Sequence, residues 1–416
     1  MTTGPKVSRT LANSDLEQVR TIYIAGAGIA GMTMALSLAK SGIRVVVLEQ
    51  TAQIQTEGAG LQISPNARKI LNDLGLDDAL KAAGFATKEI DIYPFRRPTP
   101  LISLKMGPAM EKAFGAQYMV IHRADLSDVL FSACRKRANI EFQFGVRSFD
   151  MQAHQKGLSL TVENKDGSVH NTRPFAFVGA DGVHSMTRRK ILAGPDAQYS
   201  NYIAWRALVP TSLLKDHFNL NNSSLMWGPG FHVIAYPHPT RHVVNIAMFT
   251  RERLSRKLNP QTVTTPSVPK AGLSCKRVKA IINAAEGGWK KWPLYAAKTS
   301  QWFKGPVGLI GDAAHAMLPY QAQGAAMAIE DAGVLGPLLA KSTDPQTAFA
   351  TYQSHRQPRV NKVVKTSASN GNIYHLEWPF SIFRDIVVSA QGPTAHLQRL
   401  AWIYGYEVPS VYKTSP

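Results

Sequence analysis

Residues 21–50 constrain this chain more than any other stretch. Ile22-Tyr23-Ile24-Ala25 is a short apolar run that reads as a strand. Gly26-Ala27-Gly28-Ile29-Ala30-Gly31 follows, then an apolar helical segment from Met32 to Lys40, which Ser41-Gly42 closes. Residues 43–48 read as a second buried strand with Glu49 and Gln50 at its tip. Strand, glycine turn, helix, strand and terminal acid is the order expected of a Rossmann-like dinucleotide-binding unit. Each glycine has a physical task there: a tight turn, a close backbone approach to a pyrophosphate, and close packing of helix on strand. The helix start at Ile29 and Ala30 turns unpaired N–H groups toward phosphate. Glu49, 18 residues after Gly31, is placed to accept hydrogen bonds from ribose hydroxyls. The plain alternative is a structural glycine turn, and the acid in its proper place argues against it.

Two later segments decide the kind of dinucleotide. Residues 175–188 read as a strand ending in Gly179-Ala180-Asp181-Gly182, with Ser185 and Arg188 opening a helix. Residues 307–332 read as a buried strand, then Gly311-Asp312, a turn at Pro319 and a helix beginning near Gln323-Gly324-Ala325. A carboxylate at a strand tip followed by a glycine-bearing helix start suits a polyol diphosphate. The acid takes hydroxyls, and the helix end takes phosphate or carbonyl oxygen. Only one glycine fingerprint is present, and Cys134 and Cys275 stand 141 residues apart. This predicts a reductant that visits and leaves, without a dinucleotide domain or redox cysteine pair of its own.

At roughly 100–200 residues per domain, a chain of 416 residues predicts two or three domains. With 44 % apolar and 18 % charged residues the composition is that of a globular protein. Two cysteines exclude a disulfide scaffold and a four-thiolate zinc site, and no metal is expected. No apolar window reaches the roughly 18 residues of a membrane span, and the N-terminus lacks the apolar core of a secretion signal. The expected location is cytoplasmic. The net charge of +19 is spread over short clusters such as Arg135-Lys136-Arg137, Arg188-Arg189-Lys190 and Arg251-Arg253-Arg256-Lys257. No nucleic-acid-binding module accompanies them. The charge reads as a basic surface, or as steering of anionic small molecules.

Taken together, these segments resemble the single-component FAD-dependent aromatic hydroxylases, the group A flavoprotein monooxygenases. The branch containing salicylate hydroxylase, 3-hydroxybenzoate 6-hydroxylase and 6-hydroxynicotinate 3-monooxygenase is the nearest in pattern. Supporting stretches are Gly58-Ala59-Gly60-Leu61-Gln62-Ile63-Ser64-Pro65-Asn66, Ile121-His122-Arg123-Ala124-Asp125-Leu126, Ala204-Trp205-Arg206 and Met327-Ala328-Ile329-Glu330-Asp331-Ala332. The resemblance runs from about Thr21 to Leu400.

It implies an α/β, para-hydroxybenzoate-hydroxylase-like fold. After an N-terminal extension over 1–18, an FAD-binding domain would take 19–88, 115–200 and 296–365. A sheet domain over 89–114 and 201–295 would roof the substrate, and 366–416 would form a C-terminal helical segment open to a dimer contact. The resemblance places the FAD diphosphate on Gly26, Gly28 and Gly31, and the adenosine ribose on Glu49. It places the ribityl or phosphate region on Arg123, and both FAD and the transient nicotinamide on Asp181 and Gly182. Gly311 and Asp312 would take the ribityl hydroxyls, with the turn from Pro319 to Ala325 against the isoalloxazine. The implied activity is hydroxylation of a small phenolic or aromatic acid with O2 and NADH or NADPH, through a C4a-hydroperoxyflavin, by a monomer or homodimer.

Such chemistry needs a group that handles a phenolic proton near neutral pH, and histidine is the usual choice. Among 12 histidines, His232 in a Gly-Pro-Gly-Phe-His run on a roof strand is the candidate, against a structural sheet histidine. Tyr320, after Pro319, is the candidate substrate contact, and Gln62, Arg206, Tyr236 and Pro319 are further pocket candidates. His315 reads as structural. Some relatives carry histidines at what read as the positions of Tyr320 and Gln62, which favours a benzoate-like or phenolic ring here over a hydroxynicotinate. The aromatic residues of 366–416, among them Tyr374, Trp378, Phe380, Phe383, Trp402, Tyr404 and Tyr406, read mostly as packing residues. The alternatives are a monooxygenase of a larger secondary metabolite or quinone precursor, and a basic FAD-bound protein for nucleic acid or membrane. A flavin halogenase is disfavoured, because Gly288-Trp289-Lys290-Lys291-Trp292-Pro293 lacks the spacing of that signature.

Overall fold

The structure, a computed structural model, describes residues 20–54, 60–154, 157–253, 261–263, 266–285 and 288–410. The extension 1–18, Gly58-Ala59 and Arg256-Lys257 lie outside the described residues. The fingerprint unit folds as its pattern predicts, with strand Thr21–Ala25, helix Ile29–Lys40 and strand Arg44–Glu49. These strands belong to a six-stranded sheet in the order Phe303–Lys304, Val307–Leu309, Ala176–Gly179, Thr21–Ala25, Arg44–Glu49, Ile140–Phe144. The sheet is parallel apart from its first pair. Its central strands are largely apolar because they are covered by helix Ile29–Lys40 and by a three-stranded sheet of Val146–His154, Gly157–Asn164 and Val169–Thr172, where the Phe149 ring lies 5.2 Å from that of Phe177. Helix Gly324–Lys341 lies on helix Ile29–Lys40 closely enough that a Cβ at Gly336 would sit 2.2 Å from Ser37 Oγ. The chain runs from Thr21–Ala25 to Arg44–Glu49 on one side of it and returns later to Ala176–Gly179 on the other, so the crevice beyond its carboxyl end is the natural ligand site.

The second sheet has eight strands, ordered Gln261–Val263, Trp289–Ala296, Gln198–Pro210, Val243–Arg251, Phe231–His238, Ser223–Gly228, Glu89–Pro94, Ile102–Lys105. The early excursion Glu89–Lys105 thus completes a sheet whose other strands come much later, through the parallel pairing of Glu89–Pro94 with Ser223–Gly228. Along Phe231–His238 the side chains alternate. Phe231, Val233 and Ala235 enter the roof's own core, backed by Val278 and Ile281, while Ile234 and Tyr236 face the flavin-side cavity.

Several sequence expectations change. The polar stretch after residue 253 contains an edge strand, Gln261–Val263, ahead of its helices Lys270–Leu273 and Lys276–Ala284. Residues Thr187–Ile191 form one wide turn and no regular helix. Helix Pro345–Tyr374 runs unbroken across the expected boundary at 365, so its last turns belong with the flavin domain's longest helix. Trp378, Phe380 and Phe383 are not packing residues, being 75 %, 64 % and 63 % exposed. Helix Phe380–Tyr404 turns its nearby charges inward: Arg384 donates to Asp385 at 2.8 Å and to the carbonyls of Ile373 and Tyr374 at 3.1 Å. Asp385 accepts from Trp227 Nε1 at 3.2 Å. Satisfying these buried polar groups leaves the helix's apolar side facing outward.

Candidate active site

The cradle is built by close backbone approach. A Cβ at Gly31 would lie 1.9 Å from the Gly26 carbonyl, and one at Gly26 would lie 2.6 Å from the Ala180 carbonyl. Neither site has room for a side chain. At Gly28, Gly182 and Gly324 a Cβ would meet nothing within 4 Å. All three border a cavity of about 330 Å³, as do Ile29, Ala30, Arg123, Asp312, Pro319 and Ala325. Two helix N-termini, at Ile29 and Gly324, open on this space with one carboxylate, Asp312, and two guanidiniums, Arg123 and Arg206. That donor set fits a diphosphate and a polyol chain, which is what FAD presents.

The remaining fingerprint residues take supporting positions. Glu49 accepts from the Ala27 N–H at 2.9 Å, from the Thr51 N–H at 2.9 Å and from the Thr51 hydroxyl at 2.8 Å. It therefore ties the glycine turn to the tip of the next strand, with Gln50 exposed beside it. Gly311, at φ +59°, is wedged 3.1 Å from Ala30 and Ala328 if given a Cβ, and its N–H donates to Asp331 at 2.9 Å. Asp181 departs from the sequence reading. Its carboxylate accepts from the Ser185 hydroxyl at 2.5 Å and from the Thr187 N–H and hydroxyl at 2.9 and 3.0 Å. Donors at the start of the following turn need an acceptor, and Asp181 supplies it, leaving Ala180 and Gly182 to border the cavity.

Two structural groups escaped sequence reasoning. Arg188 is fully buried and donates to the carbonyls of Ala313, Val183 and Pro195 at 2.8, 2.6 and 2.8 Å, joining the two later motifs. Beneath the Pro319 turn, Glu330 accepts from Asn66 at 2.6 Å, from Arg359 and from Arg356, while Arg356 also holds Asp331 at 2.9 Å. His315 donates its Nε2–H to the Asp331 carboxylate at 2.6 Å, consistent with a structural role. These partners come from helices up to 264 residues apart, so no local spacing reveals them.

A larger cavity of about 650 Å³ adjoins the cradle. Gln62, Ile234, Pro319 and Ala322 border both spaces. Tyr320 lines the larger one, its hydroxyl without a hydrogen-bond partner among the described residues. Burial pushes its pKa up, so the phenol stays protonated and donates. Its ring lies against Gly371, where a Cβ would come within 2.5 Å. Gln62 Oε1 accepts from the Tyr118 hydroxyl. Arg206 and Tyr236 border the cradle, and neither Arg206 Nε nor the Tyr236 hydroxyl has a partner among the described residues. Burial lowers the pKa of Arg206, with Tyr236 opposing and Arg123 adding, and burial raises that of Tyr236.

His232 is placed differently from the sequence expectation. It borders neither cavity. It is fully buried behind their walls, stacked on Phe249 at 4.3 Å and edge-on to Tyr320 at 5.4 Å. Its Nδ1 pairs with His375 Nε2 at 2.8 Å, and its Nε2 has no partner among the described residues. The strand alternation that brings Ile234 and Tyr236 to the cavity puts His232 on the same side but one step beyond the open space.

A parallel sheet with a diphosphate cradle at its switch point, roofed by an antiparallel sheet over a second cavity, defines a flavoprotein. A family model described as the FAD binding domain matches residues 18–367, and the chain belongs to that family. It is 33 % identical over 399 residues to the 3-amino-4-hydroxybenzoate 2-monooxygenase PtnB3 of Streptomyces platensis, covering 94 % of this chain and 97 % of that protein. To the 3-hydroxybenzoate 6-hydroxylase 1 of Aquipseudomonas alcaligenes it is 32 % identical over 394 residues, 94 % of this chain and 99 % of the other. Among solved structures, a salicylate hydroxylase in complex with its substrate superposes with a TM-score of 0.77 at 25 % identity, covering 93 % and 96 % of the two chains. The structure of Klebsiella pneumoniae HpxO with FAD and uric acid shares the fold, with a TM-score of 0.78 at 22 % identity over 94 % and 97 %.

Proposed function

We propose that this chain hydroxylates an aromatic acid or phenol as an FAD-dependent monooxygenase, with NADH or NADPH as a visiting reductant. The observation that carries this reading is the shared wall: Gln62, Ile234, Pro319 and Ala322 face the flavin cradle and the larger cavity at once. A ring in the larger cavity therefore lies beside the flavin end of the cradle. FAD, when bound, supplies the activation of O2. The protein's own groups bind, orient and dry the ring.

Tyr320 donates a hydrogen bond to a ring oxygen, since its phenol stays neutral. Arg206 is a half-buried cation whose buried Nε has no partner among the described residues, a state that an anionic group on the ligand relieves. Gln62, Tyr236 and Pro319 fix the plane of the ring, and Ile234 and Phe249 exclude water. His232 acts from behind, as a positioning residue that holds Tyr320 and Phe249 through its rings. The relatives' names carry hydroxybenzoates and an aminohydroxybenzoate, which supports a benzoate-type ring. Among the described residues no helix is long and apolar enough to cross a membrane; we place the enzyme in the cytoplasm, as a monomer or homodimer.

The test is NADH and NADPH oxidation by the FAD-loaded protein in air, with and without a panel of hydroxybenzoates, hydroxypyridine carboxylates and substituted phenols. Stimulation by a ring, with a product heavier by one oxygen atom, supports the reading. Oxidation indifferent to every ring refutes it.

A further inference from the structure

The larger cavity holds more than a simple hydroxybenzoate requires. Small-molecule sites begin at about 300 Å³, and a hydroxybenzoate is among the smallest ligands that fill one. Here about 650 Å³ lies beyond the shared wall. Away from Pro319 and Tyr320 this space runs as an arm between the roof sheet and the last two helices. Most of its walls are apolar: Ile92 and Leu104 from the sheet, Trp227 beside them, and Val388, Leu400 and Tyr404 from helix Phe380–Tyr404, with Arg384, His396 and Arg399 of the same helix also lining it. Phe380, Phe383 and Val387 form an exposed apolar rim. Only two unsatisfied polar atoms interrupt the arm, Ser224 Oγ and Gln391 Oε1, both buried and without a partner among the described residues.

We propose that the substrate is an aromatic ring bearing an apolar substituent about the size of a second ring, with the substituent in this arm. This deepens the reading above and rests on it. The flavin end supplies polar groups in Tyr320, Gln62 and, across the shared wall, Arg206, which suit the oxygenated ring. The arm supplies apolar surface, which gains free energy only if the ligand brings apolar surface to bury there. A bare ring leaves the arm to water that finds few partners in it. A hydroxyl or amide at the end of the substituent would meet Ser224 and Gln391.

The test compares matched pairs, a hydroxybenzoate and the same ring carrying a phenyl, benzyl or prenyl group, on the FAD-loaded protein. Dissociation constants are read from the change in flavin absorbance on binding, and turnover from ring-stimulated NAD(P)H oxidation. The substituted ring should bind at least tenfold more tightly and show the higher kcat/KM. Two variants, Val388→Trp and Leu400→Trp, fill the arm, and each should lower the preference for the substituted ring by tenfold or more. Flavin absorbance and thermal midpoint report whether each variant still folds and binds FAD. A bare ring that binds as tightly as its substituted partner overturns this inference and leaves the monooxygenase reading standing, as does an unchanged preference in both folded variants. A protein indifferent to every ring overturns both.

Discussion

His232 Nδ1 and His375 Nε2 lie 2.8 Å apart, joining a roof strand to the end of helix Pro345–Tyr374 behind the substrate cavity. One ring donates and the other accepts, so a second proton on both rings would break the bond, and burial disfavours even a single charge on the pair. Burial drives the pKa of His375 down to about 4, with Arg384 adding, and burial followed by the charge of His375 drives His232 well below the usual histidine value. Tyr202 faces His375 Nδ1 at 3.4 Å, and Tyr320 and Tyr374 pack on His232. The unfolded chain protonates His375 near pH 6.5 and the folded one only near 4, and His232 is shifted in the same direction. Between those values the unfolded state binds more protons, so stability falls as pH falls.

That linkage predicts a loss on the order of 2 kcal/mol from His375 alone between pH 7 and 4.5. Urea midpoints at the two pH values measure it. His375→Gln should be less stable at pH 7 and lose less on acidification. An equal acid loss in the variant would contradict the buried neutral pair.

Gly28 and Gly31 differ by only three positions, yet their alanine variants should fail in different ways. Gly28→Ala places its Cβ in open cradle space, so the protein should keep its fold within about 1 kcal/mol and lose most of its FAD. Gly31→Ala drives a methyl into the Gly26 carbonyl and should destabilise the domain by several kcal/mol. Thermal midpoints and the ratio of flavin to protein absorbance separate the two.

Asp312 has an exposed side chain at the mouth of the cradle. Asp312→Ala should weaken FAD binding at least tenfold, roughly 1.4 kcal/mol, with the thermal midpoint of the apoprotein unchanged. A variant that purifies fully yellow would remove Asp312 from the cofactor.

Arg206→Gln should raise KM for an acidic ring about 30- to 100-fold, the loss of one charge-assisted hydrogen bond of about 2–3 kcal/mol. FAD content should hold. If a neutral phenol loses affinity to the same extent, Arg206 does not receive the anionic group.

Arg356→Met strands Glu330 and Asp331 without their fully buried cation. A loss of about 3–5 kcal/mol is expected, read as a drop in urea midpoint. The double variant that also replaces Glu330 and Asp331 by Gln and Asn should recover part of it.

The sequence by itself determined the flavin half of this protein. Within residues 21–50 the pairing of the two strands, the turn at Gly26 and the contact of Glu49 with Ala27 all close locally. Backbone sterics and helix-end donors leave few other uses for glycines at that spacing. Gly311-Asp312 and Pro319–Ala325 are legible for the same reason: the first is a local strand-to-helix turn and the second a local turn into helix Gly324–Lys341.

Only the tertiary structure decided the substrate side. Asp181 reads as a ligand in sequence, and it becomes a cap because Ser185 and Thr187 compete for its oxygens. His232 reads as the group that handles the phenolic proton, and it recedes because Tyr320 and Phe249, from two other elements, stand in front of it. The arm under helix Phe380–Tyr404 is assembled from residues as far apart as Ile90 and Tyr404. Period-2 and period-3.6 patterns tell which side of an element is apolar, but not which distant element it meets or how much space remains between them.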